Sequence, residues 1–276
     1  MEDKCEIIEK QISISEICAY NLLHELNLDS IIIPYVLHGD RLEMAKGTHP
    51  SRLELDFVKL YTQVLCKMYK VKSTEFTPGI YSFFYDSNEK NDPTEKQLYL
   101  EHIVEFHKKF FYNCREKINP IVELTYLEST SCFIKWCEEN MDTFSPEYVL
   151  LHGDLFIGNI LSYRGEYKLI DPEFIRFGPK ILELSFLLCW DFISNTTLRA
   201  YSSYIILKNI EELLENEIIS QEDVESIING FIPMIVSLVS VAASANLYKD
   251  SGIILDGCNS LWNDYKEKIL NKSKDL

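Results

Sequence analysis

The chain has 276 residues, 46% hydrophobic and 25% charged, with a formal net charge of −16. That is enough chain to bury a core in one large domain or two modest ones. So acidic a surface argues against nucleic acid and anionic lipid as partners, no run of about 18 apolar residues suggests a membrane span, and Met1 to Lys10 lacks the order of a signal peptide.

In chain order, Ser13 or Ser15 caps an expected helix running to about Leu28, with Ile17, Tyr20 and Leu23 on its apolar side. The β-branched run Ile31 to Leu37 reads as a strand, the turn His38-Gly39-Asp40 follows, and Arg41 to Ala45 reads as a second strand. Gly47 to Pro50 works as a linker, which predicts a small N-terminal lobe over 1–47 and a larger, mainly helical lobe over 48–276. Helical periodicity covers Arg52 to Tyr69, Thr94 to Phe111 and Glu123 to Asn140. Tyr148 to Leu151 reads as a short strand, and Ile160 to Tyr163 pairs with Tyr167 to Ile170 around Arg164-Gly165. Four more helices are expected over Lys180 to Ile193, Leu198 to Asn216, Gln221 to Ala245 and Ser260 to Leu270. None of the eight cysteines is spaced as CxxC, so they read as reduced, mostly buried thiols in a cytoplasmic protein.

The chemistry concentrates in Leu151-His152-Gly153-Asp154-Leu155-Phe156-Ile157-Gly158-Asn159, followed by Ile170-Asp171-Pro172-Glu173. Asn159 lies five residues after Asp154, and Asp171 twelve after Asn159, with a hairpin between the last two. Phosphoryl transfer needs a base to orient an attacking hydroxyl and oxygen ligands for Mg²⁺ on the phosphates. A loop followed by a hairpin brings these three side chains to one rim. A second copy of the triplet, His38-Gly39-Asp40, has Ala45 at the fifth position after Asp40, so it reads as a plain turn.

His152-Gly153-Asp154 with Asn159 resembles the catalytic loop of the aminoglycoside-phosphotransferase and choline-kinase family, and Ile170-Asp171-Pro172-Glu173 resembles its metal-binding segment. The resemblance implies an α+β, protein-kinase-like two-lobed fold and transfer of a phosphoryl group from ATP or GTP to a small hydroxyl substrate. It assigns Asp154 as base, Asn159 and Asp171 as Mg²⁺ ligands, and His152 as a brace for the loop. Arg41 to Ala45 before Gly47 is similar to the hinge, where the main chain of Glu43, Met44 and Ala45 would meet the nucleotide base; an ordinary edge strand is the other reading. Phe177-Gly178-Pro179 before a helix also fits, with Glu183 where the family usually has Asp. Protein kinases of the common type carry arginine where this chain has Gly153.

The pattern departs from the family at the start. No glycine precedes Gly39, so no glycine-bearing loop over the phosphates is read there. Cys5 to Lys10 would be the third strand, with Lys10 as the phosphate lysine and Glu16 as its partner; a solvated surface lysine is the alternative. A compact active kinase, a degenerate nucleotide-binding or interaction protein, and a chain starting upstream of Met1 all fit. The resemblance places the acceptor among the helices of about 180–270. There Asp191, Glu211, Glu212 and Glu215 offer charge and Trp190 and Trp262 offer rings, against a solvated face and core packing.

Overall fold

The computed structural model describes residues 7–71, 120–140, 143–144 and 147–269, with 109, 112 and 116. The chain forms two compact units, one from residues 1–85 and 147–183 and the other from 86–146 and 184–276. A boundary at residue 47 thus falls inside the first unit. The expected helix from Thr94 lies outside the described residues apart from Lys109.

In the first unit, β1 (Ile7–Gln11), β2 (Tyr35–His38) and β3 (Arg41–Ala45) form an antiparallel sheet in the order β1-β3-β2. Helix α1 (Ile14–Glu25) follows β1 directly and is capped by Ser13, whose hydroxyl accepts from the Glu16 amide at 3.1 Å. Its face of Ala19, Tyr20 and Leu23 is buried. The apolar run from Ile31 is not one strand. Asp29–Ile31 makes a 3-10 turn, Ile32 bridges to Leu169, and the strand starts only at Tyr35, after Pro34 has removed a ladder donor. Ile31, Ile32 and Ile33 are apolar because they are core residues.

The helical segment expected from Arg52 begins at Phe57, where the Asp56 carboxylate accepts from the Lys59 amide at 2.8 Å. It runs as α2 (Phe57–Leu60) through a wider turn at Tyr61–Leu65 to Cys66–Met68. Strand β4 (Tyr148–Leu151) pairs antiparallel with β7 (Arg176–Pro179), and β5 (Ile160–Tyr163) with β6 (Glu166–Leu169). Arg164 and Gly165, both at positive φ, make the tight turn that the twist of a two-residue hairpin favours. Thr48 and Ser162 exchange main-chain hydrogen bonds at 3.1 and 2.7 Å, joining the segment after β3 to the hairpin.

The second unit is helical, with α3 (Pro120–Asn140), most of α4 (Lys180–Ser194), α5 (Ser202–Glu215), α6 (Gln221–Ser226), α7 (Ile232–Ser244) and α8 (Ser251–Asp264). Helix α7 packs against both α3 and α8 and is buried on nearly every side. Gln221–Ser244 is long and apolar enough to cross a membrane, with mean hydropathy 1.9, yet 83% of that window is buried inside the protein. The last helix begins at Ser251 rather than Ser260. Gly257 explains why glycine is kept in its interior, because a Cβ there would stand 1.8 Å from the Ile193 carbonyl oxygen. Trp262 packs on Tyr265 and donates to Glu128, so it is a core residue; Trp190 stacks on Phe186, half-buried. Asp191 is buried, Glu212 pairs with Lys208, and Glu211 and Glu215 face solvent.

Candidate active site

Every residue expected at the phosphoryl-transfer site lies in the first unit. The loop after β4 begins with His152, whose Nε2 donates to the Ile170 carbonyl at 2.8 Å. Burial pushes its pKa down to about 4, so the imidazole is a neutral brace with its proton on Nε2. Gly153 follows with φ +86, and a Cβ there would stand 1.9 Å from the Phe174 carbonyl oxygen. Its amide donates to Glu183 Oε2 at 2.9 Å, while Tyr69 donates its hydroxyl to the other carboxylate oxygen at 3.1 Å. Burial raises the Glu183 pKa to about 7, against the pull of those two donors and of Arg176.

Asp154 is tied to Asn159, whose amide nitrogen donates to the Asp154 carbonyl at 2.7 Å and to its Oδ2 at 3.2 Å. With its donors directed at Asp154, the side-chain oxygen is what Asn159 can offer a cation. Burial raises the Asp154 pKa, opposed by Asn159 and Arg176 and reinforced by Asp171 and Glu173. The returning strand closes the arrangement, since the Ile170 amide donates to the Asn159 carbonyl at 3.1 Å. Ile170 is therefore bonded on one side to His152 and on the other to Asn159. Asp171 comes next with φ 54 and ψ 56, a left-handed conformation that costs a non-glycine residue about 1–2 kcal/mol. Asn27, Arg164, Glu217 and Asn246 share this left-handed backbone.

Lys10 on β1 brings the sheet to this site. Its ammonium lies 2.7 Å from Asp171 Oδ1 and 3.2 Å from Glu16 Oε1. The Glu16 side chain is 3% exposed, whereas Lys10 and Asp171 are 35% and 39% exposed and open to a ligand. Burial works against the Lys10 charge, but Asp171 and Glu16 outweigh it and raise its pKa. Burial also raises the Glu16 pKa. The solvated-surface alternative for Lys10 is thus replaced by a three-residue ionic group joining β1, α1 and the segment after β6. Ser13 and Ser15 donate to Glu173 at 3.2 and 3.0 Å, holding the start of α1 on the same segment.

Glu43, Met44 and Ala45 stand apart from this cluster. All three lie on the central strand, paired with β1 on one side; Glu43 and Met44 pair with β2 on the other, and the Ala45 amide donates to Pro34 at 2.8 Å. An edge strand is excluded, since β3 is central and Glu43 and Met44 lie in register with both neighbours. The first main-chain groups past the ladder belong to Lys46 and Gly47. Asp40 of the second triplet sits in the β2–β3 turn, where Gly39 at φ +66 makes the reversal and nothing crowds it.

Sequence reasoning missed three residues here: Tyr69, Arg176 and Tyr20, the last buried where the charges of Glu16 and Asp171 reach it. Tyr69 and Tyr20 carry no motif. Arg176 carries no motif either. Among the described residues no group of three or more His, Cys, Asp or Glu gathers as a metal centre. The oxygens that Asn159 and Asp171 could offer are too few to complete the shell of a cation such as Mg²⁺, so phosphate oxygens and water would have to supply the rest.

The model of the phosphotransferase enzyme family matches residues 113–207, which contain Asp154, Asn159 and Asp171 but not Lys10 or Glu16. No curated protein matches the chain. Solved structures do. An amicoumacin kinase in complex with AMP-PNP, Ca²⁺ and amicoumacin is 15% identical, with a TM-score of 0.53 over 97% of this chain and 83% of its own. An ethanolamine kinase from Plasmodium vivax is 14% identical, with a TM-score of 0.54 over 99% and 78%. A choline/ethanolamine kinase family protein from Mesorhizobium loti is 9% identical, with a TM-score of 0.61 over 97% and 85%. The chain has the α+β, kinase-like fold of these proteins.

Proposed function

We propose that this protein is a small-molecule kinase that moves the γ-phosphoryl group of ATP or GTP to a hydroxyl of an aminoglycoside, choline or a related amino alcohol or sugar. One observation supports it above the rest: Asp154 is bonded to Asn159, Asn159 to the residue before Asp171, and Asp171 to Lys10. Asp154 takes the proton of the acceptor hydroxyl as its oxygen attacks the γ-phosphorus, and the nucleoside diphosphate leaves with the electrons of the broken bond. The Asn159 side-chain oxygen and the Asp171 carboxylate would hold Mg²⁺, which supplies charge neutralisation on the phosphates when bound. Lys10, kept charged by Glu16, turns from Asp171 to a phosphate oxygen. The base meets the main chain at the end of β3, from Ala45 to Gly47. The setting is cytoplasmic, with neither nucleic acid nor membrane as partner.

Asp154→Ala is expected to lower kcat by about a thousandfold while circular dichroism stays unchanged; full activity in that variant would overturn the assignment. The second reading is a pseudokinase-like nucleotide-binding or interaction protein. Calorimetry with nucleotide and Mg²⁺, beside a turnover screen over amino alcohols, sugars and aminoglycosides, separates the two. Undetectable binding removes the kinase reading, and robust turnover removes the second.

A further inference from the structure

The first turn of α1 is held by polar contacts, not by packing. Between Ile12 and Ala19 no apolar side chain is buried: Ile14 is 79% exposed and Ile17 is half-buried. Ser13 and Ser15 are exposed as well, and Glu16 is the buried side chain of this turn. What the turn meets is the segment after β6, where Pro172–Phe174 packs against α1. There the Ser13 and Ser15 hydroxyls stand 3.2 and 3.0 Å from one oxygen, Glu173 Oε1, and 2.8 Å from each other. A carboxylate only accepts, so the serines donate. At most one hydroxyl proton can lie between the two serines, which leaves at least one for Glu173.

These contacts close a ring. Ser13 Oγ also accepts from the Glu16 amide at 3.1 Å, Glu16 Oε1 holds the Lys10 ammonium at 3.2 Å, and Lys10 reaches Asp171 Oδ1 at 2.7 Å. Asp171 and Glu173 are joined through Pro172, whose ring fixes its φ. Lys10 thus has two anchors, and they differ. Asp171 lies on the segment itself and would turn to Mg²⁺. Glu16 lies on α1, so its position relative to that segment depends on how the helix is docked.

We propose that Glu173 is a positioning residue for Lys10: accepting from Ser13 and Ser15, it docks the first turn of α1 on the segment that carries Asp171, and so sets where Glu16 holds the lysine. Reach matters to this role and charge does not. An amide oxygen at the same length accepts from the same hydroxyls, whereas a side chain one methylene shorter falls short of them by about 1.5 Å. A residue needed for its charge would show the reverse.

The catalytic meaning of Glu173 rests on the phosphotransferase reading; its first test does not. Hydrogen exchange is followed by NMR at the amides of Glu16 and Ile17, which both donate to Ser13. In Glu173→Ala and Glu173→Asp both amides should exchange about fivefold faster or more, with the β5–β6 hairpin unchanged, while Glu173→Gln stays within about twofold of wild type. Ser15→Ala should also speed them, and should add nothing in a Glu173→Ala background. Wild-type protection in Glu173→Ala, or protection kept in Glu173→Asp but lost in Glu173→Gln, would overturn the proposal. If Glu173→Ala does not fold, Glu173→Asp decides in its place. Calorimetry with ATP and Mg²⁺ then tests the link to Lys10. Glu173→Ala should weaken nucleotide binding about fivefold in the wild-type chain and less than about twofold in Lys10→Met, because the lysine it positions is gone. Equal losses in both backgrounds would give Glu173 a role apart from Lys10 and overturn the positioning claim. Absence of nucleotide binding in wild type rejects the phosphotransferase reading, and the exchange result alone then decides whether Glu173 docks α1.

Discussion

Gly153 and Gly165 share a left-handed backbone, at φ +86 and φ +82, and differ in what surrounds them. At Gly165 nothing lies within 4 Å of the point where a Cβ would stand, so only the conformational term applies, about 1 kcal/mol for Gly165→Ala. At Gly153 the same Cβ would stand 1.9 Å from a carbonyl oxygen of the Phe174 main chain. Gly153→Ala must therefore move the segment carrying Asp171, and should cost more than about 3 kcal/mol. Denaturant melts of both variants measure the difference, and equal losses would show that crowding at Gly153 is relieved cheaply. Asp154, Asn159 and Asp171 were legible because their relation is local: a loop, a hairpin and fixed separations. Lys10 was harder to read. Its contact with Asp171 spans 161 residues, and no local spacing distinguishes it from a solvated lysine.

Two buried groups give the catalytic loop opposite responses to pH. His152 titrates at about 4 in the fold against 6.5 as a free side chain, so its contribution is present above 6.5 and is lost as pH falls towards 4. Glu183 titrates at about 7 against 4.5, so its contribution is fully present below 4.5 and is lost as pH rises through 7. Between about 4.5 and 6.5 the two slopes oppose each other, by the linkage of proton binding to folding. Glu183→Gln should remove one slope and leave stability falling more steeply on acidification. Melting temperatures at several pH values check this, and a variant with the wild-type profile would contradict it. Elements were legible to uneven depth. Strand β3, β4 and the hairpin of β5 and β6 follow from alternation and turn residues. The run at Ile31 misled because consecutive branched residues look like a strand whether they pair in a sheet or simply fill a core. The start of α8 was misplaced because Gly252 and Gly257 argue against a helix until the close approach of Ile193 is seen.

For the whole molecule, the formal charge of −16 predicts self-repulsion that salt relieves. Raising ionic strength from about 10 to 150 mM shortens the screening length from roughly 30 to 8 Å. The melting temperature should rise by about 2–4 °C; a fall would mean that screened ion pairs matter more than the net charge. The sequence by itself determined the fold class, the family resemblance and the loop carrying base and metal-binding candidates. Those rest on composition and on spacings of a few residues, which local geometry turns into placement. Only the tertiary structure decided that Lys10 meets both Glu16 and Asp171, that Glu43 and Met44 lie on a central strand, and that Glu183, Tyr69 and Arg176 surround the loop. These contacts join residues distant in the chain, and strand register and burial, which no local pattern encodes, set them.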